Sequence, residues 1–340
     1  MLWRHRSNKM TEKAKKNNNS KSSAHLTVQA DKIIELKKEM ALSFVDKAFK
    51  LYPDWSSGSY NLPSATKSPK LAGVALSNKQ MSNLPLGEIE KSVICGTICG
   101  DSSFAINKGY KNARLQARHS TRQYTWFMWK YRVILKEFTN ISSVVFQTSD
   151  GFQQASSLKP GEKIVGKLKI ATLAKAKLTE LHQVICVNNR KTIQRSWLNH
   201  MNNYFLMTVW LDDGSLYNGY QGLICFNSIP KAEQEVLRDY LLSVWEIETV
   251  LQDTGLIMSN GQINYRISIS NQESLLKLLS LVAPVIPVRE MLYKVCFVPK
   301  NNVSLLQRWR SELVGLVRPA FRADVETYYD KVQLMYNKRK

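Results

Sequence analysis

Residues Leu84–Phe104 read LPLGEIEKSVICGTICGDSSF, and Met201–Tyr217 read MNNYFLMTVWLDDGSLY. Each holds a run of mainly apolar residues that stops abruptly at an aspartate followed by Ser or Gly, Asp101 in the first and Asp213 in the second. A helix that is apolar on nearly every side has to be buried. Gly96 and Gly100, four apart, leave a strip of bare backbone on one face of the first helix, and small residues at that spacing let two helices approach closely. The two stretches together predict a helix pair at the centre of a domain, with an aspartate at the same end of each helix.

The chain that follows each helix has the same plan. After Asp101, Ala113, Leu115, Ala117 and His119 alternate with Arg114, Gln116, Arg118 and Ser120, the pattern of a half-buried strand with a basic outer face. Thr121–Glu137 reads as an aromatic-rich helix, and Lys163, Lys167 and Lys169 alternate with Ile164, Leu168 and Ile170 in another strand. Leu173–Val187 reads as the closing helix. In the second half Ile263, Tyr265 and Ile267 alternate with Gln262, Asn264, Arg266 and Ser268, with helices expected at Ala232–Val244 and Asn271–Ala283. The order helix, two strands, helix, two strands, helix occurs twice, which predicts a pseudo-twofold duplication.

Composition bounds what such a domain meets. The 340 residues carry 48 Lys+Arg against 27 Asp+Glu, a net charge of +21, while 44% of the chain is hydrophobic. Disorder requires low hydrophobicity together with high charge, so a disordered polycation is excluded, and a folded, strongly basic protein points to a polyanion. The five cysteines (Cys95, Cys99, Cys186, Cys225, Cys296) are odd in number and lie among apolar residues, so no disulfide framework is expected, and they imply a reducing compartment. The most apolar stretch, Leu275–Val288, is broken by Lys277, Pro284 and Pro287 and cannot span a bilayer.

The charge is unevenly spread. Residues 1–23 hold seven basic residues against Glu12 alone, in a Ser- and Asn-rich stretch that reads as a disordered tail: an organelle transit peptide or a solvated phosphate-attracting arm. Residues 24–85 read as an amphipathic helix over Ala30–Tyr52, with Ile33, Ile34, Leu36, Leu42, Val45 and Phe49 on its apolar side, and then a linker over Pro53–Pro85. The domain proper starts near Leu86, with half-domains at 86–187 and 188–300 and a C-terminal helical extension at 301–340. Cys95 and Cys99 lack a partner ligand nearby and read as small buried hydrophobes. His119, His182 and His200 lack metal-ligand spacing, and Trp126, Trp129 and Trp210 read as core.

ICGTICGDS (Ile94–Ser102) and LMTVWLDDG (Leu206–Gly214) resemble the two signature helices of the LAGLIDADG homing endonucleases in their monomeric two-motif form. VNNRKTI (Val187–Ile193) and IPVREMLYK (Ile286–Lys294) resemble segments of the omega-type members encoded in a mitochondrial large-ribosomal-RNA intron, and the four landmarks fall in the right order. The chain departs from the pattern at Cys99, Gly100 and Thr208, positions that bear on helix packing and not on the aspartates. Residues 1–85 and 301–340 lie outside the resemblance.

The resemblance implies an α+β fold: a duplicated αββαββα unit whose two antiparallel four-stranded sheets form a saddle on the DNA major groove around a central two-helix interface. It implies that Asp101 and Asp213 hold divalent metal, Mg²⁺ with Mn²⁺ as a substitute, above the minor groove, with Gly100 and Asp212 as further candidate ligands and Asp212 otherwise a solvated neighbour of Asp213 or a supporting group behind it. It implies basic residues in the two catalytic pockets at Lys191 and Lys294, although Arg190 could replace Lys191 by a one-residue shift. Arg114, Gln116, Arg118, Lys167, Lys169, Gln262, Asn264 and Arg266 are the residue types that read base edges and phosphates. The expectation is a monomeric, organellar, intron-associated endonuclease cutting both strands of a long asymmetric DNA site. An RNA maturase working on its host intron RNA and a ribosome-associated RNA-binding protein are the rival uses of the same fold.

Overall fold

A computed structural model describes residues 34–57, 59–71, 79–100, 102–140, 143–148, 166–226, 229–257 and 261–337. The basic tail, Asp101, Lys163 and Ile164 lie outside the described residues. A first helix, α1 (34–51), buries Ala41, Val45 and Ala48 and sets Phe44 against Tyr124 and Phe146, ring centroids 5.5 and 6.2 Å apart. The buried stripe therefore runs through alanines, and Ile34, Leu36 and Leu42, expected on the apolar side, face solvent. The small side chains allow the helix to lie close to the domain, which a stripe of isoleucines and leucines would hold off.

The expected linker is in part a strap. Asn203 N–H donates to Thr66 O (2.9 Å), Thr66 N–H to Asn203 Oδ1 (2.8 Å), and Tyr204 Oη to Pro63 O (2.7 Å), while Lys67 pairs with Glu88 (2.8 Å). Residues 63–67 thus lie across the starting ends of both signature helices, and Thr66 O satisfies the Asn203 N–H that a helix terminus leaves open.

The first half runs α2 (Glu88–Cys99), β1 (Ser102–Ala105), β2 (Arg114–Ser120), α3 (Tyr124–Met128), β3 (Val144–Thr148), β4 (Gly166–Ala171) and α4 (Ala176–Ile185). A two-stranded hairpin, β5 (Cys186–Val187) and β6 (Arg190–Lys191), follows. The second half repeats the order with α5 (Asn203–Asp213), β7 (Gly214–Tyr217), β8 (Gln221–Ile224), α6 (Lys231–Trp245), β9 (Val250–Ile257), β10 (Ile263–Ile269) and α7 (Gln272–Val282). The sheets have the equivalent orders β1-β2-β4-β3 and β7-β8-β10-β9, antiparallel throughout. The α+β duplication is the expected one. α8 (Val303–Leu316) and α9 (Arg322–Asn337) complete the chain.

Two elements differ from their sequence reading. The closing helix of the first half stops at Ile185, because Asn188 and Asn189 take positive φ (53° and 60°) and turn the chain into the β5–β6 hairpin, a conformation asparagine tolerates well. The aromatic-rich helix is α-helical only over Tyr124–Met128, with tighter turns before it and a wider i→i+5 stretch at Trp129–Ile134. Thr125 through Tyr131 are all buried, Lys130 among them. Among the described residues no helix is long and apolar enough to cross a membrane.

Candidate active site

The two signature helices, α2 and α5, pack against each other at Gly96. A Cβ there would lie 2.7 Å from Thr208 Cβ, closer than real contacts allow, and a tight 3.1 Å from Phe205 O. Gly96 and Thr208 hold the same place in their motifs, so the glycine of one helix makes room for the threonine that departs from the family pattern in the other. Thr208 Oγ1 donates to Tyr204 O within its own helix (2.8 Å), which leaves its methyl side for the contact.

The same crossing brings the ends of the helices together. A Cβ at Gly100 would fall 1.8 Å from Asp213 Oδ2, so the half-buried Asp213 carboxylate lies against the bare backbone that closes α2. Any side chain at Gly100 would take the carboxylate's place. The next residue, Asp101, lies outside the described residues.

Each helix end carries one lysine. Lys191 Nζ donates to Ile98 O (2.7 Å), and Lys294 Nζ donates to Leu211 O and, at 3.4 Å, to Trp210 O. Ile98 and Trp210 each stand three residues before their motif's aspartate. Ile98 O and Leu211 O lie in the last turn of their helices, where carbonyls lack a partner inside the helix and carry the negative end of its dipole, so each ammonium meets both needs; Trp210 O also accepts from Gly214 N–H. Of the two candidates Arg190 and Lys191, Arg190 turns outward to Glu233, and Lys191 reaches the end of α2. Lys191 also lines a cleft of about 380 Å³ with Gly100, Ser102, Ser103, Gln116, Arg118 and Lys169. Ser102 and Ser103 were not singled out from sequence; only the fold of β1 beside β2 brings them there.

Asp212 corrects the sequence reading. It is not a solvated neighbour of Asp213: its side chain is fully buried, and Lys130 Nζ binds both of its oxygens at 2.8 Å. Trp126 Nε1 donates to Oδ1 (2.6 Å), and His119 Nε2 stands 3.3 Å from it. Burial raises the carboxyl's pKa, but Lys130 and His119 more than offset this and hold it well below the usual carboxylate range. With both oxygens engaged inside the protein, Asp212 ties α5 to the first half-domain and is not placed to hold a metal. A lysine inside the apolar run TWFMWKYRVI (Thr125–Ile134) was the available signal for such a buried partner.

The groups that remain for a divalent cation are Asp213, the backbone at Gly100 and, by position, Asp101. Carboxylate and carbonyl oxygens at two negatively polarised helix ends suit a hard cation such as Mg²⁺. Among the described residues no three His, Cys, Asp or Glu side chains gather into a metal cluster. Cys95 and Cys99 are buried free thiols; burial pushes Cys99 up to about 12, with Lys191 opposing and Asp213 adding to the shift, so it stays protonated.

Flanking the helix ends are the outer faces of the sheets. Register sets Arg118 directly opposite Lys169 and Ser120 opposite Lys167, with Gln116 and Arg114 further along the same face of β2. Like charges directly opposite each other destabilise a sheet in isolation, so this face suits a polyanion. On the second sheet Arg266 donates to Gln252 Oε1 (3.0 Å), and Asn264 and Gln262 stand toward the tip of β10.

Comparison with known proteins agrees with this geometry. The fold resembles the solved structure described as "The homing endonuclease I-WcaI bound to its DNA recognition sequence", with a TM-score of 0.51 at 20% identity, covering 68% of this chain and 99% of that one. No curated protein matches the sequence. Residues 91–276, which run from the first signature helix into α7, match the family described as LAGLIDADG DNA endonuclease, and the chain belongs to that family.

Proposed function

We propose that this protein is a site-specific double-strand DNA endonuclease of the homing kind, acting as a monomer on a long asymmetric target and associated with a group I intron in an organelle. The observation that carries the reading is the crossing of α2 and α5, which sets Asp213 on the backbone of Gly100, one residue before Asp101, with a lysine on the terminal carbonyls of each helix.

The roles follow from the chemistry of phosphodiester hydrolysis. The cationic outer face of the first sheet and the polar outer face of the second would bind the duplex on either side of the helix ends and fix the scissile phosphates over them. Asp213 and Asp101 would hold Mg²⁺, or Mn²⁺ in its place, and the bound cation would supply Lewis acidity and a counter-charge for the leaving 3′ oxygen. Lys191 and Lys294, set on the carbonyls of the helix ends, would each place positive charge beside the attacking water or the phosphate oxygens as charge builds up on them. One chain then carries two non-identical pockets, one for each strand.

The test is cleavage of an intronless target duplex with Mg²⁺. Asp213→Asn and Asp101→Asn should each lower cleavage by more than about 100-fold, beyond what loss of an outer-shell partner costs, with duplex binding retained. A folded wild-type protein that binds its duplex but cuts neither strand would overturn the reading, and support of host-intron splicing by that same protein would favour the maturase use.

A further inference from the structure

The segment that presents Lys294, a tight helical turn over Arg289–Lys294, is held from outside the duplicated domain. Tyr52, just past the end of α1, is buried and donates through its hydroxyl to Glu290 Oε2 (2.7 Å) while accepting from Arg289 N–H (2.9 Å). The same Glu290 oxygen accepts from Thr125 Oγ1 in α3 (3.0 Å). At the other end of the turn, Trp210 Nε1 donates to Lys294 O (2.8 Å). Beyond it, Trp309 Nε1 of α8 donates to Val295 O (3.1 Å) and Tyr329 Oη of α9 to Phe297 O (2.9 Å). Arg318, between α8 and α9, closes the circuit onto Tyr60 Oη (2.8 Å).

From this we infer that the terminal extensions form a brace for the second pocket, in which Tyr52 acts as a positioning residue: through Glu290 it sets the turn that holds Lys294 on the end of α5. The inference rests on the nuclease reading of Lys294 for its catalytic consequence, but not for the brace itself. It gives the N-terminal extension a task at one pocket only. The hydroxyl is suited to it because burial, and then the Glu290 carboxylate, keep Tyr52 protonated far into alkaline pH, so the donor is permanent. Glu290 carries the load between parts, since one oxygen joins the extension, the first half-domain and the lysine turn.

The test uses the full-length protein and a duplex recovered from a randomised library by binding in Ca²⁺ without Mg²⁺. Tyr52→Phe keeps the ring stacked on Trp55 (4.5 Å between centroids) and removes only the hydroxyl. Amide exchange of residues 289–296 should rise by about tenfold, with exchange in α2 and β2 unchanged, and cleavage of one strand should slow by about tenfold so that nicked duplex accumulates. Affinity for the duplex should not change. In a Lys294→Ala background Tyr52→Phe should slow cleavage no further, and Glu290→Gln, which keeps an acceptor oxygen, should resemble wild type where Glu290→Ala resembles Tyr52→Phe. Wild-type exchange at 289–296 in Tyr52→Phe, or equal slowing of cleavage in the presence and absence of Lys294, would overturn the brace. A wild-type protein that cuts neither strand would remove the nuclease role of Lys294 and leave the exchange result to decide the brace alone.

Discussion

The two half-domains share one backbone plan and present different surfaces. In the first sheet Arg114, Arg118, Lys167 and Lys169 share the outer face, with Arg118 directly opposite Lys169. In the second sheet the equivalent face carries Arg266 bonded to Gln252, and Gln221 Nε2 donating to Ser268 Oγ (2.9 Å). Duplication preserves strand order because the buried face of each strand must fill a core, whereas the outer face is free to diverge. The outer face of the first sheet is therefore strongly cationic, whereas that of the second is mainly uncharged and polar. The pockets also differ: Lys191 sits at the edge of a short hairpin and lines an open cleft, while Lys294 is buried and the segment that carries it is bonded to both terminal extensions.

The sharpest way to break this comparison is at the point where the halves meet. Gly100→Ala would place a methyl group where the Asp213 carboxylate now sits, and a displacement of that size should lower cleavage by about 100-fold with the fold intact, measured under single-turnover conditions. The corresponding position of the second motif is Asp212, where a side chain is required rather than excluded. Asp212→Ala leaves Lys130 charged and uncompensated in the core, so thermal or denaturant unfolding should show a loss of about 3–5 kcal/mol, partly recovered by adding Lys130→Met.

That pair also sets an acid response. The Asp212 carboxyl is depressed in the folded protein relative to an unfolded value near about 3.9, so its contribution is complete above that value and is lost as pH falls through the folded pKa. Acid titration of Asp212→Ala should accordingly be flatter than that of wild type below about pH 4. The smallest effect compares the two faces. Arg118→Ala and Lys169→Ala should each reduce the slope of log affinity against log salt by about 0.9, whereas Arg266→Ala should change the slope less and alter base preference more, read by fluorescence anisotropy across a salt series.

Much of this was legible in the chain. Two apolar runs ending in Asp101 and Asp213, period-two alternation at Ala113–Ser120, and the glycine at Gly96 are local patterns, and local patterns report helix, strand and close approach directly. The buried stripe of α1 keeps the expected Val45 and Phe49 but otherwise runs through Ala41 and Ala48, because alanine is a weak hydrophobic signal but a good contact residue where a helix must lie close. The strap at 63–67 was read as a linker because its order comes from Asn203, Tyr204 and Glu88, far away in sequence.

By itself, then, the sequence determined the duplicated αββαββα order, the basic strand faces and the acidic ends of the two central helices. Only the tertiary structure decided what the adjacent aspartates do. Successive residues on a helix point about 100° apart, so Asp212 and Asp213 must face different surroundings. The crossing of α2 and α5 turns one toward Lys130 and the other toward Gly100. The lysines were decided in the same way: a helix end attracts a cation from wherever the fold delivers one, and here β6 delivers Lys191 to α2 while the braced turn delivers Lys294 to α5.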